Sequence, residues 1–282
     1  MILVLATAAA ATSCASRARG SATSSPDTKI RPGTAEGIQR LEPRVLRRIP
    51  HDRGAFTQGL VIHDSLLWES TGLYGRSELR AIDPNSGRVV RSAPLPAQLF
   101  GEGLAAVGEA LLQLTWQEHV ALVWDPNSLS VIERHHYEGQ GWGLTSCGRD
   151  LWMSDGSSRL TRRDQRTFLP TGFLEVELGG DPLSSLNELE CVGKVIWANV
   201  WPTTEIVGID VETGSVRFSV DAAALSRPFQ RGENVLNGIA HIPERQTFLL
   251  TGKRWPWMFE VQLVPAEPDR RSRLPAPQAE RG

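Results

Sequence analysis

Short apolar segments alternate with polar turns along most of this 282-residue chain. Residues 66–70 (Leu-Leu-Trp-Glu-Ser) and 195–199 (Val-Ile-Trp-Ala-Asn) are typical of these segments, and the turns between them are rich in Gly, Asn, Asp and Pro. Brief apolar runs bounded by such residues indicate β-strands joined by tight turns. The pattern therefore predicts an all-β protein.

The predicted strands fall into five repeats, aligned on the segment that opens each repeat. The aligned segments are centred on Gly59, Gly103, Gly143, Leu189 and Gly238. The repeats carry up to four predicted strands in the same order, and the third strand commonly ends at an Asp before a turn, as at Asp83, Asp125 and Asp210. Four antiparallel strands in a repeat of about 45 residues are the signature of a β-propeller. The predicted fold is a five-bladed β-propeller with four antiparallel strands per blade.

The ring is expected to close through the N-terminal strand. The last repeat ends near Leu263 without a fourth strand, whereas residues 44–49 precede the first repeat as a spare strand. Pairing the two removes exposed strand edges. The propeller is therefore predicted over 44–263, between a flexible linker at 15–43 and a disordered tail at 264–282, both rich in polar residues.

The N-terminus is predicted to be an export signal. Residues 1–11 are apolar but too short to span a membrane. The segment 11–14 resembles the cleavage site of a bacterial lipoprotein, with Cys14 as the lipid-bearing residue, although Ala11 stands where Leu is usual. Residues 1–14 are thus a plain signal peptide or a lipoprotein signal. Both alternatives predict a periplasmic or secreted protein, attached to a membrane through a lipid anchor at most.

Composition excludes some classes of function. The net charge is −2, which argues against a nucleic-acid partner. Nine tryptophans against two tyrosines suggest that indoles line a cavity as well as fill a core. The histidines show no metal-ligand spacing, and no nucleophile elbow is present. Cys147 and Cys191 are 44 residues apart with no pairing motif, so two buried thiols are preferred to a disulfide.

The predicted topology brings distant residues together. In a propeller the first strand of each blade lines the central channel, so the residues that open these strands meet at one end. They are Gln58, Glu102, Trp142, Asn187 and Asn237. Glu102 lies between two glycines, on backbone that can approach a ligand closely, and is the candidate acid or base. Other acidic residues are expected to brace turns, namely Glu69, Asp83, Asp125, Asp155 and Asp210.

Ten segments in order resemble the plant and bacterial glutaminyl-peptide cyclotransferases, from about residue 45 to 263. They are FTQGL at 56–60, WESTGLYG at 68–75, FGEGL at 100–104, QLTW at 113–116, GWGLT at 141–145, SDGS at 154–157, LNELE at 186–190, ANVW at 198–201, VLNGIA at 235–240 and TGKRWP at 251–256. The resemblance implies a five-bladed propeller that converts the N-terminal glutamine of peptides or proteins to pyroglutamate and releases ammonia. It implies no cofactor and no catalytic metal.

The same resemblance implies the site residues. Glu102 is the catalytic carboxylate. The implied substrate-binding residues are Phe56, Gln58, Phe100, Trp116, Trp142, Asn187, Trp201 and Lys253. One departure is Gln140, where many family members have Glu. In this scheme Glu102 takes a proton from the attacking amine and gives it to the leaving nitrogen. Lys253, Gln58 and Asn187 are the candidate donors to the developing oxyanion.

A different class of function remains open from the sequence alone. An exported propeller could bind peptide or carbohydrate in an aromatic channel without turning it over. A propeller lyase is weaker, because it would need metal ligands or paired bases that the sequence does not show. The expected protein is a monomer that acts on peptides with N-terminal glutamine.

Overall fold

The computed structural model describes residues 37–267, which are mostly β-strand, with one short helix. The all-β class predicted from the sequence is confirmed. Among these residues no helix is both long and apolar enough to cross a membrane. The predicted signal, Cys14, most of the linker and most of the C-terminal tail lie outside the described residues.

Strand β1 (Gln39–Pro50) is followed by three four-stranded antiparallel units, each a separate sheet with its strands in sequence order. The first unit comprises β2 (Thr57–His63), β3 (Leu66–Thr71), β4 (Glu78–Ile82) and β5 (Val89–Pro94). The second unit comprises β6 (Gly101–Val107), β7 (Ala110–Thr115), β8 (Val120–Asp125) and β9 (Ser130–His136). The third unit comprises β10 (Leu144–Cys147), β11 (Asp150–Met153), β12 (Arg159–Asp164) and β13 (Pro170–Glu175).

The fourth and fifth units share one eight-stranded sheet, and a short hairpin precedes them. The hairpin comprises β14 (Glu177–Leu178) and β15 (Asp181–Pro182). The fourth unit comprises β16 (Leu186–Val192), β17 (Val195–Val200), β18 (Glu205–Asp210) and β19 (Val216–Asp221), followed by helix α1 (Ala223–Ser226). The fifth unit comprises β20 (Leu236–Ile242), β21 (Thr247–Gly252), β22 (Trp257–Pro265) and, from the other end of the chain, β1.

Strand β1 joins the two ends of the described chain. It pairs antiparallel with β22, from Leu41 opposite Pro265 to Pro50 opposite Trp257. Residues 39–41 also pair in parallel with β19, which connects the fourth unit to the fifth. The strand begins at Gln39, so the end of the predicted linker at 15–43 is structured. The reason is that Leu41 is buried in the core beneath these pairings.

Burial falls from the first strand of a unit to the fourth. In β6 the first five residues are buried, whereas β9 is mostly exposed. The first strands also contact one another in a cycle, with β6 beside β2 and β10, β16 beside β10 and β20, and β20 beside β2. A first strand is thus covered on both sides by its neighbours, which explains its nearly continuous apolar and glycine-rich sequence.

The alignment of the fourth repeat on Leu189 was wrong by one residue. The pairing registers make Leu189 equivalent to Leu60, Leu104 and Ile239, each directly opposite a matching residue of the second strand. Asn187 is therefore the equivalent of Glu102. Glu188 occupies the position that is glycine in the other four units, so the glycine that marks the other repeats is missing here.

The two cysteines form a disulfide, so the preference for free thiols was wrong. Cys147 ends β10, and Cys191 lies on β16, the first strand of the next unit, with a Cα–Cα distance of 5.5 Å. Their separation of 44 residues is about one repeat. The same spacing that argued against pairing therefore places them side by side on adjacent strands.

The aspartates at the strand ends brace turns as predicted. Asp83, Asp125 and Asp210 each accept a hydrogen bond from the backbone N–H two residues later, at 2.9–3.0 Å. Asp155 does the same with Ser157 N–H at 2.9 Å. The prediction was wrong for Glu69, which is fully buried within β3.

Glu69 belongs to a buried polar cluster instead of a turn. Its Oε1 contacts His51 Nε2 at 2.9 Å and accepts a hydrogen bond from Thr57 Oγ1 at 2.7 Å. Burial works to raise the pKa of Glu69, but the charges of His51 and Arg80 outweigh it and lower that pKa. The cluster connects His51, which directly follows β1, to the first unit.

Candidate active site

Three of the residues that open first strands form a chain of buried hydrogen bonds. Gln58 Nε2 donates to Glu102 Oε1 at 2.7 Å. Asn237 Nδ2 donates to Gln58 Oε1 at 3.1 Å and to the carbonyl of Thr57 at 3.0 Å. The three side chains come from the fifth, first and second units, so residues far apart in sequence meet as the repeat pattern predicts. The chain fixes the direction of the Glu102 carboxylate.

The glycines beside Glu102 allow neighbouring strands to pack closely. Gly103 N–H donates to the carbonyl of Trp142 at 2.7 Å, and a Cβ on Gly103 would lie 2.5 Å from the backbone nitrogen of Leu144. A Cβ on Gly101 would lie 2.6 Å from the carbonyl oxygen of Thr71. These glycines were predicted to let the backbone approach a ligand closely, but the groups that they approach are backbone atoms of neighbouring strands.

One side of the cluster is a wall of aromatic rings. The centroids of Phe56 and Phe100 are 6.1 Å apart, and those of Phe100 and Trp116 are 5.6 Å apart. Lys253 is buried with its Nζ 4.8 Å from the centroid of Phe56. Arg254 lies over the same ring at 4.9 Å. Two cationic side chains therefore flank the wall at Phe56.

Gln140 connects two of the tryptophans. Its Oε1 accepts a hydrogen bond from Trp116 Nε1 at 2.8 Å and from Trp142 Nε1 at 3.1 Å. Trp142 in turn meets Trp201 edge to face, with centroids 5.9 Å apart. The amide oxygen of Gln140 thus makes contacts that a carboxylate at this position could also make.

Asn187 and Asn237 carry buried oxygens without partners. Neither Oδ1 has a hydrogen-bond partner among residues 37–267. The backbone carbonyl of Asn187 accepts a hydrogen bond from Ser154 Oγ at 2.7 Å, which holds the start of β16. A buried acceptor that lacks a donor costs free energy.

Burial dominates the electrostatics of the site. It raises the pKa of Glu102 well above its usual range, while the charge of Lys253 lowers that pKa and the charge of Glu118 raises it. Burial lowers the pKa of Lys253, and the charge of Glu102 opposes this effect. A carboxyl group with a raised pKa can both accept and donate a proton near neutral pH.

Tyr74 and Glu118 are not among the site residues predicted from the sequence. Tyr74 Oη donates to Glu118 Oε1 at 2.7 Å, and the backbone N–H of Phe100 donates to Glu118 Oε2 at 3.3 Å. The hydrogen bond to Glu118 raises the pKa of Tyr74 to about 12. Both residues lie in or beside segments that carry the family resemblance, two residues from Leu114-Thr115-Trp116 in the case of Glu118. Their position next to pocket residues was the available signal.

Other candidate sites are few. In the described part of the chain, no three His, Cys, Asp or Glu side chains are grouped to hold a metal ion. A surface cavity of about 570 Å³ lies between the third and fourth units, lined by residues that include Cys147, Trp152, Phe173 and Lys194. It shares no residue with the cluster around Glu102. The chemistry therefore points to Glu102 and its aromatic surroundings.

Comparison with known proteins identifies the family of this chain. A family model for glutamine cyclotransferase matches residues 6–263. The glutaminyl-peptide cyclotransferase of Arabidopsis thaliana is 38% identical over 232 residues, covering 80% of this chain and 72% of that protein. The crystal structure of Myxococcus xanthus glutaminyl cyclase is similar with a TM-score of 0.77 and 38% identity, covering 82% of this chain and 100% of that one.

The chain belongs to the glutamine cyclotransferase family. The enzyme predicted from the sequence motifs, a glutaminyl-peptide cyclotransferase, is thereby confirmed. The family match covers Glu102 and all eight implied substrate-binding residues, from Phe56 to Lys253. The individual roles of those residues stay predictions.

Proposed function

We propose that this enzyme cyclises the N-terminal glutamine of peptides to pyroglutamate with Glu102 as the group that moves the proton. The observation that carries the proposal is the environment of Glu102. Its carboxylate is buried, is oriented by Gln58 and stands beside the aromatic wall of Phe56 and Phe100. Peptides or proteins with N-terminal glutamine are the substrates.

The reaction needs one proton carrier. The α-amine attacks the side-chain amide carbon of the same residue, a C–N bond forms, and the amine proton passes to Glu102. The tetrahedral intermediate then collapses, the bond to the amide nitrogen breaks, and Glu102 returns the proton to that nitrogen, which leaves as ammonia. Glu102 ends in its starting state, so a single acid–base group completes the cycle.

The raised pKa of Glu102 suits both steps. A carboxylate of ordinary pKa would be a weak base toward the amine, whereas a buried one takes the proton more readily. The α-amine has an ordinary pKa of about 7.7–8.0, so a neutral fraction exists near pH 7. An aromatic pocket enlarges that fraction, because burial disfavours the charged amine.

The remaining polar residues stabilise the oxyanion of the intermediate or orient Glu102. Lys253 and Asn187 are the donors that we assign to the oxyanion of the intermediate. We assign Gln58 to the orientation of Glu102, because its amide nitrogen already donates to that carboxylate. Trp116, Trp142 and Trp201 fold the glutamine side chain toward its own amine, which is a gain in proximity.

We also infer a five-bladed propeller as the detailed fold. The cyclic contacts of the five first strands and the pairing of β1 with β22 support it. The apolar segment 1–11 supports export, with lipidation at Cys14 or plain cleavage as the two routes. A monomer is proposed because the β1 edge is already paired within the chain.

The test is ammonia release from a Gln-initiated dipeptide with chelator present. Wild type should turn over, and Glu102→Gln should lose at least about 100-fold in kcat. Glu109→Gln changes an exposed carboxylate in the turn that follows β6 and serves as the matched control with unchanged turnover. Turnover in folded Glu102→Gln would refute the role of Glu102. Peptide binding without ammonia release in folded wild type would support the non-catalytic alternative.

A further inference from the structure

Glu118 stands beside the reaction centre without a positive partner. It lies in the turn between β7 and β8, and its two oxygens accept hydrogen bonds from Tyr74 Oη and the backbone N–H of Phe100. No ion pair in the described part of the chain includes Glu118. A carboxylate held by neutral donors keeps its full charge toward its surroundings.

The contact with Phe100 links Glu118 to the catalytic strand. Phe100 directly precedes Gly101 and Glu102, and its ring packs between Tyr74 at 5.4 Å and Trp116 at 5.6 Å. The same turn carries Trp116, whose backbone N–H donates to the carbonyl of Phe100 at 2.9 Å. Residues of this turn therefore form hydrogen bonds with both the backbone N–H and the backbone carbonyl group of Phe100.

We propose that Glu118, clamped by Tyr74, is a positioning residue for cyclisation that fixes the start of β6 and places a second negative charge beside Glu102. The proposal deepens the proposed function and rests on Glu102 as the proton carrier. A nearby negative charge makes a carboxylate a stronger base. The charge of Glu118 also opposes that of Lys253 at Glu102. Burial raises the pKa of Glu102 most, and the charges of Lys253 and Glu118 then adjust that pKa in opposite directions.

The groups that face Glu102 define what a pH profile reports. Lys253, from the turn after β21, and Glu118 are the charged groups that act on it. Gln58 is neutral, and the pKa values of Tyr74 and Tyr137 are raised, so both phenols stay neutral in the working range. The acidic limb of the pH profile is the rise in kcat/KM with pH on the acidic side. If a change at Glu118 shifts this limb, the shift therefore reports a change in the pKa of Glu102.

The experiment compares the pH dependence of kcat/KM for wild type, Glu118→Gln, Glu118→Asp and Tyr74→Phe with one Gln-initiated dipeptide. The substrate amine titrates identically in every case, so only enzyme groups can move the limb. Glu118→Gln removes a negative charge, which lowers the pKa of Glu102 and moves the acidic limb to lower pH by up to about one unit. Its plateau should fall about threefold to tenfold, because Glu102 becomes a weaker base.

The other variants separate charge from structure. Glu118→Asp keeps the charge and should leave the limb near its wild-type position. Tyr74→Phe removes one hydrogen bond but no charge, so its plateau should fall while the limb stays. Glu109→Gln controls for a remote loss of negative charge. A residue with a merely structural role would lower the melting temperature and the whole profile without moving the limb.

Two results would overturn the proposal. One is an unmoved acidic limb in folded Glu118→Gln, and the other is an equal shift in Glu109→Gln. Failure of the underlying function has a different signature, because Glu102→Gln would then retain turnover. An inactive Glu102→Gln together with an unmoved limb in Glu118→Gln refutes the role of Glu118 alone.

Discussion

Two buried glutamates occupy neighbouring positions in equivalent strands, yet their surroundings differ. Glu102 opens β6, and Glu188 lies one position further along in β16. Burial raises the pKa of both well above the usual range. Glu102 accepts one hydrogen bond from a side chain, that of Gln58. Glu188 accepts two from backbone N–H groups, those of Leu60 at 3.1 Å and Ile239 at 2.8 Å.

The difference separates a chemical carboxylate from a structural one. Both oxygens of Glu188 are bound by backbone of the first and fifth units, which leaves it no freedom to move a proton. Glu102 has one oxygen bound, with Lys253 and the aromatic wall beside it. Judged by a raised pKa alone, both residues would be candidates for the catalytic carboxylate. The hydrogen-bond partners decide between them.

The contacts of Glu188 also explain why the fourth unit has Glu where the other units have Gly. Where the other units have glycine, the next first strand packs directly on it, so that a Cβ on Gly103 would lie 2.5 Å from the nitrogen of Leu144. In the fourth unit the equivalent nitrogen, that of Ile239, donates to the Glu188 carboxylate instead. One side chain thus joins three units where close backbone packing joins the others in pairs.

The largest expected effect is the loss of stability in Glu188→Ala. Each buried N–H left without an acceptor costs about 1–3 kcal/mol. Losing the acceptor for Leu60 and Ile239 should therefore lower the free energy of unfolding by about 2–6 kcal/mol, or the melting temperature by about 5–20 °C. Thermal unfolding followed by circular dichroism measures this.

Glu188→Gln is the matched variant. It keeps one acceptor oxygen, so its loss of stability should be smaller than that of Glu188→Ala. Turnover at 20 °C should stay within a few-fold of wild type in both, because neither change touches Gln58 or Glu102. An unchanged melting temperature, or an activity loss as large as that of Glu102→Gln, would remove the distinction between the two glutamates.

The next effect concerns Lys253, the positive charge that Glu102 has beside it. Lys253→Met should lower kcat about 100-fold, since loss of one oxyanion donor has that effect. It should also move the acidic limb of kcat/KM to higher pH, because without Lys253 the pKa of Glu102 rises further. This shift is opposite in sign to that expected for Glu118→Gln. Arg254→Met, at the same aromatic ring, is the control and should leave the limb in place.

The sequence predicts most of the strand architecture because its period is strong. Alternating apolar segments and Asp-containing turns locate the four-stranded units, and spacing identifies β1 as the partner of β22. The repeat alignment is wrong where a residue with a side chain replaces the glycine that marks the other repeats. Because Glu188 stands where the other repeats have glycine, the fourth repeat was aligned one residue too far along the chain. The disulfide between Cys147 and Cys191 can be inferred only once the first strands of adjacent repeats are aligned with each other.

The repeat pattern predicts only those site residues that occupy the same position in different repeats. Gln58, Glu102 and Asn237 meet because they share one repeat position. Glu118 and Tyr74 lie one repeat apart, each three residues after the second strand of its unit, but the repeat pattern does not indicate that these turn residues contact each other beside the site. Their contacts depend on the packing of Phe100, which pairs residues 44 positions apart in sequence. Tertiary packing of turns is information that a repeat pattern does not contain.

The last expected effect is the pH dependence of stability conferred by Glu190, two residues after Glu188 on the same strand. Burial raises the pKa of Glu190 to about 8, although the backbone N–H of His241 donates to it at 2.7 Å. The folded protein thus binds this proton more tightly than the unfolded chain, where the pKa is about 4.5. Stability from this group is complete below about pH 4.5 and is lost as pH rises toward about 8.

Glu190→Gln removes the titration and keeps an acceptor for His241 N–H. The melting temperature of the variant should therefore gain on that of wild type as the pH rises from 5 to 8, and the difference should level off above about pH 8. His241, whose pKa burial lowers, titrates in both proteins, so its contribution cancels in the difference. Glu188 also titrates in both, but the charge of Glu190 adds to burial in raising the pKa of Glu188, so the difference includes the loss of this coupling. Parallel melting curves across this range would mean that Glu190 is held by its backbone donor as firmly as Glu188. In that case both glutamates of β16 would be structural acceptors, and Glu102 would remain the one first-strand carboxylate in the described chain whose proton is free to move.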